Sequence, residues 1–282
     1  MAEVSLSGMR RPGGKLAGLV DKIAVIGMDS DSPRMQGFAA CMARLGVNYT
    51  FAPGVLGKEV VAGRGTPAEN ELREEMILGG FLSAGEVGCL LSHARLWKEV
   101  ATDPSMQRIL IFEDDARTYL DGTTLRNMIE ELYAHLDVTG ERFDMLYLGK
   151  ALDQCINYTQ VINYVYRSSR PLCMHAYIIT KEGAQKMLAH APFSQAADVI
   201  PHHIPELNIM VFHPSLFFQD IMNTNSNLRE FGSTLRHTTE CMLPNADMGP
   251  DTWTFVVLAI IAIAAVVLLI ILPVWFPDFS VF

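Results

Sequence analysis

Between residues 22 and 212, short apolar runs alternate with stretches whose apolar residues recur at helical spacing. Ile23-Ala24-Val25-Ile26, closed by Gly27, reads as a buried strand and turn. Residues 33–45 then place Met35, Phe38, Ala39, Met42 and Leu45 on one helical face. Tyr49-Thr50-Phe51-Ala52 predicts a second strand. The Gly- and charge-rich stretch 54–80 reads as a flexible loop or short helix. Ser83-Ala84-Gly85-Glu86 is a capping-box signature, and Leu90, Ala94 and Trp97 mark one face of the helix it opens, up to about Ala101. Asp103-Pro104 ends that helix, and Ile109-Leu110-Ile111-Phe112 follows as a strand. The pattern continues with a helix over 123–136, the strand Met145-Leu146-Tyr147-Leu148 and an irregular stretch. Next come the strand Ala176-Tyr177-Ile178-Ile179, a helix over 181–191 opened by Thr180, and a last strand, Ile209-Met210-Val211-Phe212. This alternation predicts an α/β fold, a mainly parallel sheet with helices on both faces.

The pattern changes at the C-terminal end. Residues 255–272 read FVVLAIIAIAAVVLLIIL without a polar side chain, and Pro273-Val274-Trp275-Phe276 extend the run. As a helix, 255–276 would span roughly 33 Å, enough to cross a hydrocarbon core of about 30 Å. Trp253 and Trp275 flank it as interfacial aromatics do. The organisation expected is a loose arm over 1–20, a folded domain over 21–235, a polar linker over 236–252, a transmembrane helix over 253–276 and a tail over 277–282. Arg10, Arg11 and Lys15 precede no apolar run of the kind a secretory signal needs. The expectation is therefore a single-pass C-terminal membrane anchor with the domain on the cytosolic side. Cys41, Cys89, Cys155, Cys173 and Cys241 are odd in number and lack CxxC spacing, so they read as ordinary buried thiols of a reducing compartment. The sequons Asn48-Tyr49-Thr50 and Asn157-Tyr158-Thr159 would then stay unused. A formal charge of −9 without clustered Lys and Arg excludes a nucleic-acid surface.

The chemistry concentrates at Glu113-Asp114-Asp115, directly after the Ile109 strand. Three adjacent carboxylates repel one another unless a cation or hydrogen-bond donors offset the charge, and hard oxygen ligands favour Mg²⁺ or Mn²⁺. In open α/β sheets, ligands bind outside the carboxyl ends of strands, where this triplet falls. Gly85-Glu86-Val87-Gly88-Cys89-Leu90-Leu91-Ser92-His93 and Ile111-Phe112-Glu113-Asp114-Asp115-Ala116 resemble the paired signatures of glycosyltransferase family 25. Further agreement comes from Phe143-Asp144-Met145-Leu146-Tyr147-Leu148-Gly149, from Ala176-Tyr177-Ile178-Ile179 with Lys181-Glu182-Gly183-Ala184, and from His213-Pro214-Ser215-Leu216 through Gln219-Asp220. The family includes bacterial lipooligosaccharide and collagen galactosyltransferases. The resemblance implies a GT-A-like, Rossmann-type fold, in which Asp115 binds the metal, Asp114 contacts ribose and Glu113 orders metal-bound water. It also implies that Ser92 and His93 help line the nucleotide-diphosphate pocket. The family usually opens with a strand ending in Asn-Leu and an Arg-rich turn. Here Gly27-Met28 replaces the pair and only Arg34 of the turn remains, as a donor-binding candidate.

His213, with Asp220 behind it, is the candidate for a further metal ligand, against the alternative of a satisfied structural histidine. Asp198 falls where the family has an acidic residue before its last strand and is the candidate catalytic base, against the alternative of a loop aspartate capping a turn. Glu86 is explained by its capping box. His202 and His203, adjacent in an extended segment, would point apart. The resemblance thus implies a metal-dependent and inverting transferase, and the C-terminal apolar run, which is not part of the family pattern, would tether it to a membrane. It would move a hexose, galactose from UDP-galactose foremost, to a hydroxyl of a glycan or glycoprotein. A binding protein that has lost activity on the same fold and a metal-dependent phosphoesterase are the alternatives.

Overall fold

In a computed structural model, residues 16–151, 158–168 and 170–220 are described. The transmembrane helix expected over 253–276, its linker and tail lie outside the described residues. Among the described residues, no helix is long and apolar enough to cross a membrane.

The chain opens with β1 (Lys22–Gly27), whose inner residues are buried. Helix α1 (Pro33–Leu45) follows. Ser32 caps it by accepting from Met35 N at 3.2 Å, Pro33 pre-sets its first turn, and Gly46 ends it in the left-handed conformation at φ 66°. After β2 (Thr50–Pro53), the stretch expected as loop or short helix forms two helices, α2 (Gly57–Val61) and α3 (Pro67–Met76). A complete capping box between Thr66 and Glu69 opens α3. The Ser83–Glu86 box opens α4 (Ala84–Thr102), which leads to β3 (Arg108–Glu113) and the two-residue β4 (Ala116–Arg117). The remaining elements are α5 (Gly122–Thr139), β5 (Met145–Ala151), β6 (Thr159–Ile162), β7 (Val165–Arg167), β8 (Leu172–Thr180), α6 (Lys181–Ala189), β9 (Ile209–Phe212) and β10 (Phe218–Gln219).

Eight strands form one sheet in the order β2-β1-β3-β8-β5-β9-β7-β6. β8 is antiparallel to β3 and β5, and β7 is antiparallel to β9 and β6; the other ladders are parallel. Six strands therefore share one direction, but the expected parallel run is broken at its centre by β8. The apolar run of β8 is buried on both faces, so its composition carries no sign of its direction. Two further differences are local. The irregular stretch contains the β6–β7 hairpin, and the expected loose arm is packed at its end, where Leu16 and Leu19 are buried.

Helices cover both faces as expected. One core holds α2, α3, α4 and α6, with Leu90, Trp97, Tyr147 and Tyr177 at its centre. The other holds α1 and α5, with Phe38, Phe112, Leu132 and Phe217. On the first face, α2 and α4 approach at backbone distance. A Cβ on Gly57 would lie 1.8 Å from Ala84 O, and one on Gly88 2.6 Å from Val55 O. Only glycine fits at this crossing.

Candidate functional site

Two parallel strands and one capped helix bring the triplet its first partner. In the β1–β3 register Ile26 lies opposite Glu113, so the end of β3 sits beside the turn that leads into α1. Arg34, in the first turn of α1, places Nη2 2.6 Å from Asp114 Oδ1 and 2.8 Å from Asp115 Oδ2. Arg117 braces the same turn, donating from Nη2 to Arg34 O and from Nη1 to Asp114 O, each at 3.0 Å. A Cβ at position 27 would meet Met35 Sδ at 3.0 Å and Asp114 Oδ2 at 3.2 Å. The glycine that departs from the family's Asn-Leu pair therefore leaves room for the triplet. From the other side, β10 pairs with β4, Asp220 N donates to Asp115 O at 2.9 Å, and Gln219 Nε2 approaches Glu113 Oε2 at 3.4 Å.

The strand end is not solvent-facing, as a run of three carboxylates suggests. Asp114 and Asp115 are only 7% and 6% exposed. Burial pushes Asp115 up to about 7, with the neighbouring Glu113 charge adding to it and Arg34 opposing. Asp114 is raised for the same first reason, again against Arg34. Glu113 goes the other way. Burial would raise it, but the hydrogen bond from His93 and the Arg34 charge hold it below the usual range. Asp115 Oδ1 is buried and has no hydrogen-bond partner among the described residues.

His93 reaches Glu113 from α4 at the end of a buried chain of hydrogen bonds. Trp97 Nε1 donates to Tyr177 Oη at 2.9 Å, His93 Nδ1 is 2.9 Å from the same oxygen, and His93 Nε2 is 3.3 Å from Glu113 Oε1. An indole nitrogen only donates, so Tyr177 accepts there and gives its own proton to Nδ1. Nε2 then carries the proton offered to Glu113. This order leaves every proton in the chain with an acceptor. Trp97 and Tyr177 read in the sequence as core positions, and nothing in their spacing signals the chain that the fold assembles.

The other sequence candidates separate. Ser92 is buried at 2% exposure, and its hydroxyl donates to Gly88 O at 2.6 Å and accepts from Val55 N at 2.8 Å. It ties the β2–α2 loop to α4. Glu86 sits in its capping box, accepting from Ser83 N at 2.8 Å. Asp198 Oδ2 accepts from Cys173 N at 3.2 Å, and Cys173 holds a left-handed φ of 63°, a strained conformation for a side-chain-bearing residue. Burial, then the charges of Asp198, Glu113 and Asp115, push the Cys173 thiol up to about 12, so Asp198 shares the electrostatic field of the triplet. His213 lies 3.2 Å through Nδ1 from Lys150 Nζ and edge-on to Tyr158 and Tyr166. His202 and His203 belong to the 3-10 turn Ile200–His203, not an extended segment, and His202 Nε2 meets Pro171 O at 2.7 Å.

Residues 20–200 match the description glycosyltransferase family 25 (LPS biosynthesis protein). The probable inactive glycosyltransferase 25 family member 3 of Bos taurus is 29% identical over 129 residues, covering 43% of this chain and 20% of that relative. Procollagen galactosyltransferase 2 of Homo sapiens is 29% identical over 128 residues, covering 42% and 19%. The chain thus spans about a fifth of the length of these curated relatives. Among solved structures, a glycosyltransferase involved in the glycosylation of the major capsid of PBCV-1 is similar at a TM-score of 0.37 and 10% identity, over 73% of this chain and 93% of that one. By the match over 20–200, the chain belongs to glycosyltransferase family 25.

Proposed function

We propose that this protein transfers a hexose from a nucleoside-diphosphate sugar to a hydroxyl of a glycan or glycoprotein. Galactose from UDP-galactose is the first donor to test, with Mn²⁺ or Mg²⁺ bound at Asp115 and inversion at the anomeric carbon. The observation that carries this reading is Asp115 Oδ1, a buried carboxylate oxygen with no hydrogen-bond partner among the described residues, on a group raised to about 7. A hard oxygen ligand held in that state fits a hard divalent cation. When bound, the ion would supply Lewis-acid stabilisation of the charge on the leaving diphosphate.

The chain's own residues do the rest. Arg34, already aimed at the triplet, is the cation within reach of a diphosphate entering beside it. Asp114 offers its second oxygen to ribose, and Glu113 is held by His93 and Gln219 on opposite oxygens. Asp198, anchored through Oδ2 by Cys173 N, takes the proton of the acceptor hydroxyl on its other oxygen. His213 stays the candidate for a further ligand. Residues 253–276 anchor this unit to a membrane.

The full chain, incubated with Mn²⁺ and a panel of sugar nucleotides, is expected to release nucleoside diphosphate. Asp115→Asn is expected to lower that turnover roughly 10²-fold or more while leaving the fold intact. Turnover near wild type in this variant overturns the assignment of Asp115. A second reading, a non-catalytic member, is favoured by one observation: Arg34 already pairs with both Asp114 and Asp115. Nucleotide binding with no turnover of any donor would establish it.

A further inference from the structure

A second set of ligand atoms lies beside the triplet. Cys89 and His93 stand four residues apart on α4, so one face of the helix presents both, and Glu113 reaches them from the end of β3. One ligand atom from each of the three lies within 4.8 Å of the others. His93 is 1% exposed, and its second ring nitrogen is held by Tyr177 Oη, which Trp97 holds in turn. A partner on the second nitrogen is how metal sites orient a ligand histidine. Glu113 also has a free division of labour, with Oε1 toward His93 and Oε2 toward Gln219. The donor set differs in kind from that at Asp115, since sulfur and imidazole favour zinc over magnesium or manganese.

We propose that Cys89, His93 and Glu113 form a second metal site, separate from Asp115, for a thiophilic divalent cation of the Zn²⁺ class. Three protein ligands leave a fourth position open to water or another group. On binding, Cys89 releases its thiol proton to solvent. The proton on His93 Nε2 passes to Nδ1, which becomes the donor to Tyr177 Oη; the Tyr177 hydroxyl keeps its own hydrogen and turns it away from Nδ1, and the cation takes the vacated Nε2 lone pair. The negative charges of Glu113, Asp198 and Asp115 around the thiol favour a dication there. Cation binding replaces the His93–Glu113 hydrogen bond with a shared ion and fixes α4 to the end of β3.

Cobalt(II) is the probe. The full chain, purified in detergent, is expected to bind Co²⁺ with a thiolate-to-cobalt charge-transfer band that Zn²⁺ displaces. Cys89→Ser, with unchanged circular dichroism, should abolish the band and weaken Zn²⁺ binding by more than the 10–100-fold that a lost outer-shell partner costs. Asp115→Asn and Cys173→Ser should keep the band, which separates this site from the donor-site cation. No band in the wild type, a band that survives Cys89→Ser, or one lost with Asp115→Asn or Cys173→Ser overturns the proposal. Should Cys89→Ser not fold, alkylation of the wild type decides: bound Zn²⁺ is expected to slow modification of Cys89 at least tenfold, and equal rates with and without Zn²⁺ overturn the site.

Discussion

A carboxyl group raised to about 7 holds a proton in the native state that the unfolded chain, with its ordinary value of 3.8, has already released. For Asp115 the consequence for stability has a definite sign. Between those two values the native state binds more protons than the unfolded state, so stability falls as pH rises through that window. Asp115→Asn removes the titration. Its melting temperature should exceed that of the wild type at pH 8 by several degrees and match it near pH 4, and a difference that does not change with pH would exclude this account. The same proton competes with a metal, so the Mn²⁺ concentration for half-saturation should rise about tenfold for each pH unit below 7. Tyr177→Phe keeps a ring in the core but strands the Trp97 N–H. Urea denaturation should show a loss of about 1–3 kcal/mol, and wild-type stability would mean the hydrogen-bond chain is not fixed as described. At this scale the sequence shows the triplet outright, because its three residues are adjacent. It does not show Arg34 closing on it from 81 residues away or His93 from 20, because those contacts exist only once β1, β3 and α4 are packed.

Whole elements depend on single small residues where backbones meet. Gly88→Ala would set a Cβ 2.6 Å from Val55 O, an atom that cannot swing aside. A loss of about 1–3 kcal/mol is expected from overpacking, whereas Gly80→Ala, with nothing within 4 Å, should be nearly neutral. Equal effects of the two changes in chemical denaturation would show that the α2–α4 crossing can relax. Long periodic elements such as α1, α4 and α5 are legible from spacing and caps. Helix α3 is harder, since only Leu72 and Met76 are buried in its charged sequence, yet Thr66-Pro67-Ala68-Glu69 repeats the capping signature of Ser83 to Glu86. β4 and β10 are two residues each, too short for any periodicity, and their pairing lies directly after the triplet. The direction of β8 is illegible for a different reason: apolar side chains on both faces fit either orientation.

For the whole molecule, the proposal that residues 253–276 anchor the chain leaves the side on which the sheet resides to chemistry at Asn48, which is exposed ahead of β2 within a sequon. Expressed in a eukaryotic cell, the full chain should resist carbonate extraction, lose that resistance on removal of residues 252–282, and show no mass change with endoglycosidase. A glycan on Asn48 would put the domain in the lumen. The central place of β8 has a bearing on how the chain is made. β2, β1 and β3 are complete by Glu113, but β3 meets β5 only through β8, which begins at Leu172. At ordinary synthesis rates, the ~60 intervening residues take roughly 3–12 s to emerge. During that interval the first three strands present an unpaired apolar edge at β3, an opening for chaperones or for aggregation. The late arrival of one reversed strand therefore sets the moment at which the nascent sheet becomes a single cooperative unit.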